Sequence, residues 1–177
     1  GLKVVMPSTP SDAKGLLISS ILDPNPVIFL EHRWLHNLEG HVPEGDYRVP
    51  IGVAKNMHEG TDITIVSSSY MTIEAMHAAK YLRKYDIKCD VVDLRSIKPI
   101  DWDCIIQSVK KTGKLIVVDS GFSFGSIASE IISTVTERNF NDLTCAPVKM
   151  AMPDVPEPTS VALTKGFYIR ASDIIKK

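Results

Sequence analysis

Asp62-Ile63-Thr64-Ile65-Val66-Ser67, Lys88-Cys89-Asp90-Val91-Val92-Asp93-Leu94 and Lys114-Leu115-Ile116-Val117-Val118-Asp119 are three apolar runs of strand length. Between them, residues 72–85 bring Ala75, Met76, Ala79 and Leu82 to one face of a helix. Residues 101–112 do the same with Trp102, Ile105, Ile106 and Val109. Asp101 stands where an N-cap is needed, and Lys110 and Lys111 sit at the negative end of that helix. Strands that are apolar nearly throughout, alternating with helices of this length, call for an α/β fold. The expected architecture is a mostly parallel open sheet with helices on both faces and right-handed crossovers.

The pattern continues outward on both sides. Residues 125–138 read as a helix turning Ile127, Ala128, Ile131 and Val135 inward. Val148-Lys149-Met150-Ala151-Met152 reads as a fourth strand, and residues 172–177 begin a last helix. At the front, Leu2-Lys3-Val4-Val5-Met6 is a short strand. Thr9-Pro10-Ser11-Asp12 supplies an N-cap hydroxyl, a proline at the first helical position and an acid three residues on. Ala13, Leu16, Leu17, Ser20 and Ile21 form one stripe, Asp23-Pro24-Asn25-Pro26 breaks the helix, and Val27-Ile28-Phe29-Leu30 is a second strand. Residues 1–30 are therefore a β-α-β unit. From 32 to 50 no periodicity survives among Gly40, Pro43, Gly45 and Pro50, which reads as a linker. The expected division is residues 1–45, the end of one α/β domain with its linker, and 46–177, a second domain.

Composition closes several options. The 177 residues carry 20 Lys and Arg against 21 Asp and Glu, a formal charge of -1, so no basic field exists for nucleic acid or an anionic bilayer. No apolar stretch is long enough to span a membrane. Cys89, Cys104 and Cys145 form no C-x-x-C pair and read as small buried hydrophobes of a reducing compartment. No secretory signal is visible. The chain opens on Gly1 and runs directly into a strand, which is the expectation for a piece of something longer.

No self-contained catalytic constellation emerges. Gly121-Phe122-Ser123-Phe124-Gly125-Ser126 joins a strand to a helix N-terminus, where an anion is favoured. It matches neither phosphate-binding fingerprint, and a conformationally demanding turn is the plainer reading. His32, His36 and His41 lack the spacing and companions of a zinc site. His32, Arg33 and His36 either line a cleft between the two domains or belong to a solvated linker. Ser67-Ser68-Ser69 ends a strand at the rim where open sheets take ligands, without a nucleophile elbow, and is read as serving helix amides. Asp93 and Asp119 end strands at the same rim, either as an acid–base pair or as caps and ion-pair partners. Asp23 and Asn25, at a helix C-terminus, offer hard oxygen ligands to an alkali or alkaline-earth cation, beside the commoner reading as a plain turn.

Several strings together resemble one family. They are residues 1–17 (Gly-Leu-Lys-Val-Val-Met-Pro-Ser-Thr-Pro-Ser-Asp-Ala-Lys-Gly-Leu-Leu), Asn25-Pro26-Val27-Ile28-Phe29-Leu30-Glu31, Gly60-Thr61-Asp62-Ile63-Thr64-Ile65-Val66, residues 91–101, residues 108–114, Ala146-Pro147-Val148 and Pro153-Asp154-Val155-Pro156-Glu157-Pro158. In this order they resemble β subunits of 2-oxo acid dehydrogenases, the thiamine-diphosphate-dependent first component, within the transketolase superfamily. The resemblance makes residues 1–45 the end of a pyrimidine-binding domain and 46–177 a transketolase-type C-terminal domain. It implies a parent reaction of oxidative decarboxylation with acyl transfer to lipoamide. It also implies that thiamine diphosphate and magnesium are held by parts absent from this sequence, leaving this piece inactive alone. Potassium, carried in some members at the turn matching residues 20–25, would be held by Asp23 and Asn25. The implied partners are an α subunit, a second β subunit and the peripheral subunit-binding domain of the acyltransferase. The implied compartment is the cytoplasm or a mitochondrial or plastid matrix. The loop at 121–125 is bulkier than the family's, and 163–168 departs from typical pyruvate dehydrogenase tails. Two other readings stand beside this one: the corresponding part of a transketolase or deoxyxylulose-phosphate synthase, and a small-anion module using residues 67–69 and 121–126.

Overall fold

Thr9 sets the start of the first helix. In the computed structural model, which describes residues 1–177, strand β1 (Lys3–Val5) leads to Thr9, whose Oγ1 accepts the amide of Asp12 at 3.1 Å. Pro10 then opens helix α1 (Pro10–Ile21) with a fixed φ and no amide left unpaired. Strand β2 (Val27–Phe29) returns parallel to β1, Lys3 opposite Val27 and Val5 opposite Phe29, so the expected β-α-β unit is present.

The larger sheet holds the main core. Strands β3 (Lys55–His58), β4 (Ile63–Ser67), β5 (Cys89–Asp93), β7 (Leu115–Phe122) and β8 (Val148–Met152) lie in the order β3-β5-β4-β7-β8. All pairings are parallel except that of β3, which runs antiparallel along β5. Successive residues of a strand face opposite ways, so each apolar dipeptide feeds two cores. Ile65, Val91 and Ile116 pack on one face beneath α2 (Tyr70–Leu82) and α6 (Ala171–Ile175). Val66, Val92 and Val117 pack on the other beneath α3 (Trp102–Thr112) and α4 (Ile127–Asn139). This is the open, mostly parallel sheet covered on both faces that the sequence calls for.

The differences are local and have physical causes. Strand β3 arises in a polar stretch with no alternation. It forms because β5 presents a free edge, and the Asn56 side chain donates to Asp90 Oδ1 at 3.0 Å while His58 Nδ1 meets the Cys89 carbonyl at 2.8 Å. Helix α4 starts two residues later than expected, because Gly125 holds a φ of 66° and Ser126 is the N-cap, accepting the Ser129 amide. A short helix, α5 (Val161–Thr164), precedes α6. Strand β6 (Ser96–Lys98) runs antiparallel to β1 and completes a second, three-stranded sheet in the order β2-β1-β6. Residues from beyond position 45 are thus built into the sheet that begins the chain.

Arg95 holds this junction closed. Its guanidinium donates to Asp12 Oδ1 at 3.1 Å and to the carbonyl of Val53 from Nε at 3.0 Å and Nη2 at 2.8 Å. Asp12 and Arg95 are both buried, so the pair is shielded from solvent screening.

Candidate functional site

Strands β4, β5 and β7 all deliver hydroxyls or carboxylates to one rim, the side on which open α/β sheets take ligands. Ser67, Ser68 and Ser69 are buried there. Ser69 turns the chain into α2 with φ 52° and ψ -132°, a backbone conformation that non-glycine residues seldom adopt, and its Oγ has no partner. Ser67 Oγ donates to Thr72 Oγ1 at 3.1 Å, and Ser8 Oγ, from the front of the chain, donates to the same atom at 3.2 Å. Thr72 in turn donates to Asp93 Oδ1 at 3.2 Å. Of the three, Ser67 joins a buried relay of hydroxyls around the first turn of α2, and none caps the helix amides as the sequence suggested.

Asp93 Oδ1 also accepts the Arg95 amide at 3.3 Å, whereas Oδ2 is buried without a partner. Burial pushes the Asp93 carboxyl up to about 6, against the lowering hydrogen bonds from Ser8, the Arg95 amide and Thr72. Asp119 is engaged differently. Its Oδ1 accepts the Gly121 amide at 2.9 Å and its Oδ2 the Ile127 amide at 3.1 Å, which closes the 121–126 loop and caps α4. Amides that a phosphate would use are thus already held by a carboxylate. Because β4 lies between β5 and β7, the two strands that carry Asp93 and Asp119 run about 10 Å apart, two strand spacings. The two carboxylates hold separate sets of donors, which matches the reading as caps and hydrogen-bond partners.

His32 and His36 line a cavity of about 290 Å³ together with Ser8, Thr9 and Glu31. Arg33 is absent from its wall, and the cavity is built wholly from residues 7–38 rather than between the two expected domains. No three His, Cys, Asp or Glu side chains converge as a metal group. His32 instead stacks on Tyr70, ring centroids 5.0 Å apart at 19°, and its Nδ1 accepts the Trp34 amide. Burial, with the Arg170 charge second, lowers the His32 pKa and favours the neutral ring.

Trp34 completes an aromatic cluster that the sequence did not announce. It meets Tyr70 edge-on at 5.0 Å and Tyr168 at 5.2 Å, and the Arg170 guanidinium lies 4.4 Å over its ring. Glu74 fixes the other side, accepting from Tyr70 Oη and the Ala171 amide, each at 2.7 Å, and from Arg170 at 3.3 Å. Burial raises the Glu74 pKa, but these donors outweigh it and hold the carboxyl below its ordinary value. The segment expected to be a solvated linker is therefore anchored. Members of the cluster lie at positions 32, 34, 70, 74, 168 and 170, so no local pattern could have found it.

Asp90, equally silent in the sequence, is buried beneath Lys111 Nζ at 2.8 Å, the Gly60 amide at 3.0 Å and the Ser108 hydroxyl. Asp23 and Asn25 do meet at the end of α1. Asp23 Oδ1 accepts the Asn25 amide at 2.9 Å and its Nδ2 at 3.3 Å, and Lys3 Nζ sits 2.5 Å from Oδ2. Lys3, followed by the Asn25 amide, keeps the Asp23 carboxyl below its usual range. Hard oxygen donors suited to an alkali cation are present there, with an ammonium already on one of them.

Residues 52–174 match the family described as transketolase, C-terminal domain. The chain belongs to that family. This transketolase C-terminal domain and the residues before it are 42% identical over 174 residues to the β subunit of acetoin:2,6-dichlorophenolindophenol oxidoreductase from Cupriavidus necator, covering 98% of this chain and 52% of that protein. Identity is 44% over 163 residues to the pyruvate dehydrogenase E1 component β subunit of Bacillus subtilis, with 92% and 50% coverage. It is 40% over 176 residues to the 2-oxoisovalerate dehydrogenase β subunit of the same organism, with 98% and 54% coverage. A solved structure described as a split gene transketolase, inactive beta4 tetramer, superposes with a TM-score of 0.78 at 25% identity, over 99% of this chain and 55% of that one. The chain spans about half the length of the curated relatives it matches. No helix is long and apolar enough to cross a membrane.

Proposed function

We propose that this chain is the C-terminal part of the β subunit of a thiamine-diphosphate-dependent 2-oxo acid dehydrogenase. The observation that carries the reading is the likeness at 40–44% identity to three β subunits, running over more than nine-tenths of this chain and about half of each relative. The parent protein would decarboxylate a 2-oxo acid oxidatively and pass the acyl group to lipoamide. It would do so with an α subunit and a second β subunit, in the cytoplasm or an organellar matrix. Transketolase is the second reading, favoured by the structural likeness at 25% identity; the 44% and 40% identities to the pyruvate and 2-oxoisovalerate dehydrogenase β subunits support the dehydrogenase reading over it.

Within that enzyme this part serves assembly and docking to the peripheral subunit-binding domain of the acyltransferase. Its own residues do not fit thiamine diphosphate with magnesium. Asp119 is bound to two backbone amides, Asp93 is buried among hydroxyls, and no three His, Cys, Asp or Glu side chains converge to hold a metal ion. No catalytic step is assigned to them. The test is coexpression of the complete gene product with an α subunit. An α2β2 assembly that binds thiamine diphosphate and retains the acyltransferase, beside a 177-residue chain that gives no calorimetric response to the cofactor, is the expected result. Tight cofactor binding by this chain alone, or a gene product carrying the diphosphate site in the same polypeptide, would overturn it.

The turn at Asp23 and Asn25 is proposed as a potassium site whose occupant competes with Lys3. Lys3→Met should increase the rise in thermal midpoint that potassium chloride gives over tetramethylammonium chloride. An unchanged difference in that variant would remove the proposal.

A further inference from the structure

The chain order of the larger sheet contains a reversal. From β4 it moves outward to β5, then crosses back past β4 to β7 and on to β8. The crevice beyond the carboxyl ends of β4 and β7 is therefore the topological switch point, where the two crossovers diverge and leave a gap at the rim. A cavity of about 200 Å³ opens there, with Asp119 and Ser120 from the end of β7 and Met71 from the first turn of α2 on one side, and Trp34, Tyr168 and Glu157 on the other.

The lining selects its guest. It contains no lysine or arginine, while Asp119 and Glu157 both present carboxylates. Asp119 faces two backbone amides at the start of α4, which offset part of its charge. Glu157 accepts from the Tyr168 hydroxyl and lies at an exposed position. His32 is in the same wall and favours the neutral ring. The nearest guanidinium, Arg170, lies over Trp34 but is paired with Glu74. An anion would meet carboxylates here, and an uncharged hydrocarbon would strip water from them without compensation. A compact cation with an apolar skin satisfies both the acids and the aromatic rings of Trp34 and Tyr168 in the same wall, and the Arg170 guanidinium already lies over the Trp34 ring from outside the lining. The volume is below that of drug-sized pockets, which limits the guest to a few heavy atoms.

We infer that the crevice at the carboxyl ends of β4 and β7 binds a small organic ammonium ion, held between Glu157 and Asp119 and faced by Trp34 and Tyr168. This is independent of the enzyme to which the chain belongs. The test is a titration of the protein with choline and, separately, with its uncharged carbon isostere 3,3-dimethyl-1-butanol, following the indole N–H resonance of Trp34. Trp102, the other tryptophan, lies outside the crevice and serves as internal control. Choline should give a saturable shift at Trp34 alone, and the alcohol none. Glu157→Gln, at an exposed position, should weaken choline by about fivefold without unfolding the chain, and Tyr168→Leu should weaken it further. No saturation by about 50 mM choline, equal responses to choline and the alcohol, or an unchanged midpoint in Glu157→Gln would each overturn the inference.

Discussion

Asp93 leaves one carboxylate oxygen buried and unpaired at the end of β5, and the consequence is visible in pH. Its carboxyl is pushed up from 3.8 to about 6, mainly by burial. A raised acid pKa means that the folded chain binds the proton more tightly than the unfolded chain does. The folded state is therefore favoured at acidic pH and loses that advantage as pH rises from near 4 through 6. Asp93→Asn removes the titration. Relative to the native chain, the variant should gain about 2 to 3 kcal/mol in unfolding free energy between pH 4 and pH 8, whatever constant cost the amide carries. Urea unfolding of both proteins at several pH values measures this, and parallel curves would show that Asp93 does not titrate in that window. Asp90 has the opposite sign. Burial raises it, but Lys111, Ser108, Asn56 and the Gly60 amide together lower it, so its contribution is present at neutral pH and is lost on acidification.

At the scale of elements, what the sequence discloses depends on whether an element is specified by its own residues or by a neighbour. Strands β4, β5 and β7 have apolar centres because both faces are covered, and α3 carries its own N-cap in Asp101, whose Oδ1 accepts the Cys104 amide at 3.1 Å. All four can be read directly. Strands β3 and β6 cannot, because Lys55-Asn56-Met57-His58 and Ser96-Ile97-Lys98 have no pattern of their own and become strands by adding to an open edge. The rim was legible in part. The positions of Ser67 and Asp93 follow from where strands end, whereas β7 runs past Asp119, its expected last residue, to Phe122. Their partners, Ser8 and Thr72 for one acid and the amides of Gly121 and Ile127 for the other, depend on tertiary placement. Trp34 illustrates the limit best: a tryptophan in a Gly- and Pro-rich stretch reads as linker until Tyr70, Tyr168 and Arg170 arrive from elsewhere in the chain.

For the molecule as a whole, the question is what makes the front β-α-β unit and the larger sheet one body. Strand β6 supplies ladder hydrogen bonds to β1, but three-residue strands hold weakly by themselves. The Asp12–Arg95 clasp is the stronger tie, since both side chains are buried and Arg95 also satisfies the Val53 carbonyl. Removing one partner of such a pair strands the other charge, whereas removing both does not. Arg95→Met should therefore cost about 3 to 5 kcal/mol, leaving Asp12 with Lys55 at 3.9 Å as its one cationic partner. Methionine inherits the same backbone strain at φ 54°, so the change reports the charge and not the turn. Adding Asp12→Asn, which keeps the acceptor for the Thr9 hydroxyl, should recover part of the loss. Amide exchange locates the effect: protection of α1 should fall in Arg95→Met while β4 keeps its own. A single variant within 1 kcal/mol of the native chain, far below the expected cost, would mean that the two parts are joined by apolar packing and strand pairing, and that the clasp only fixes their register.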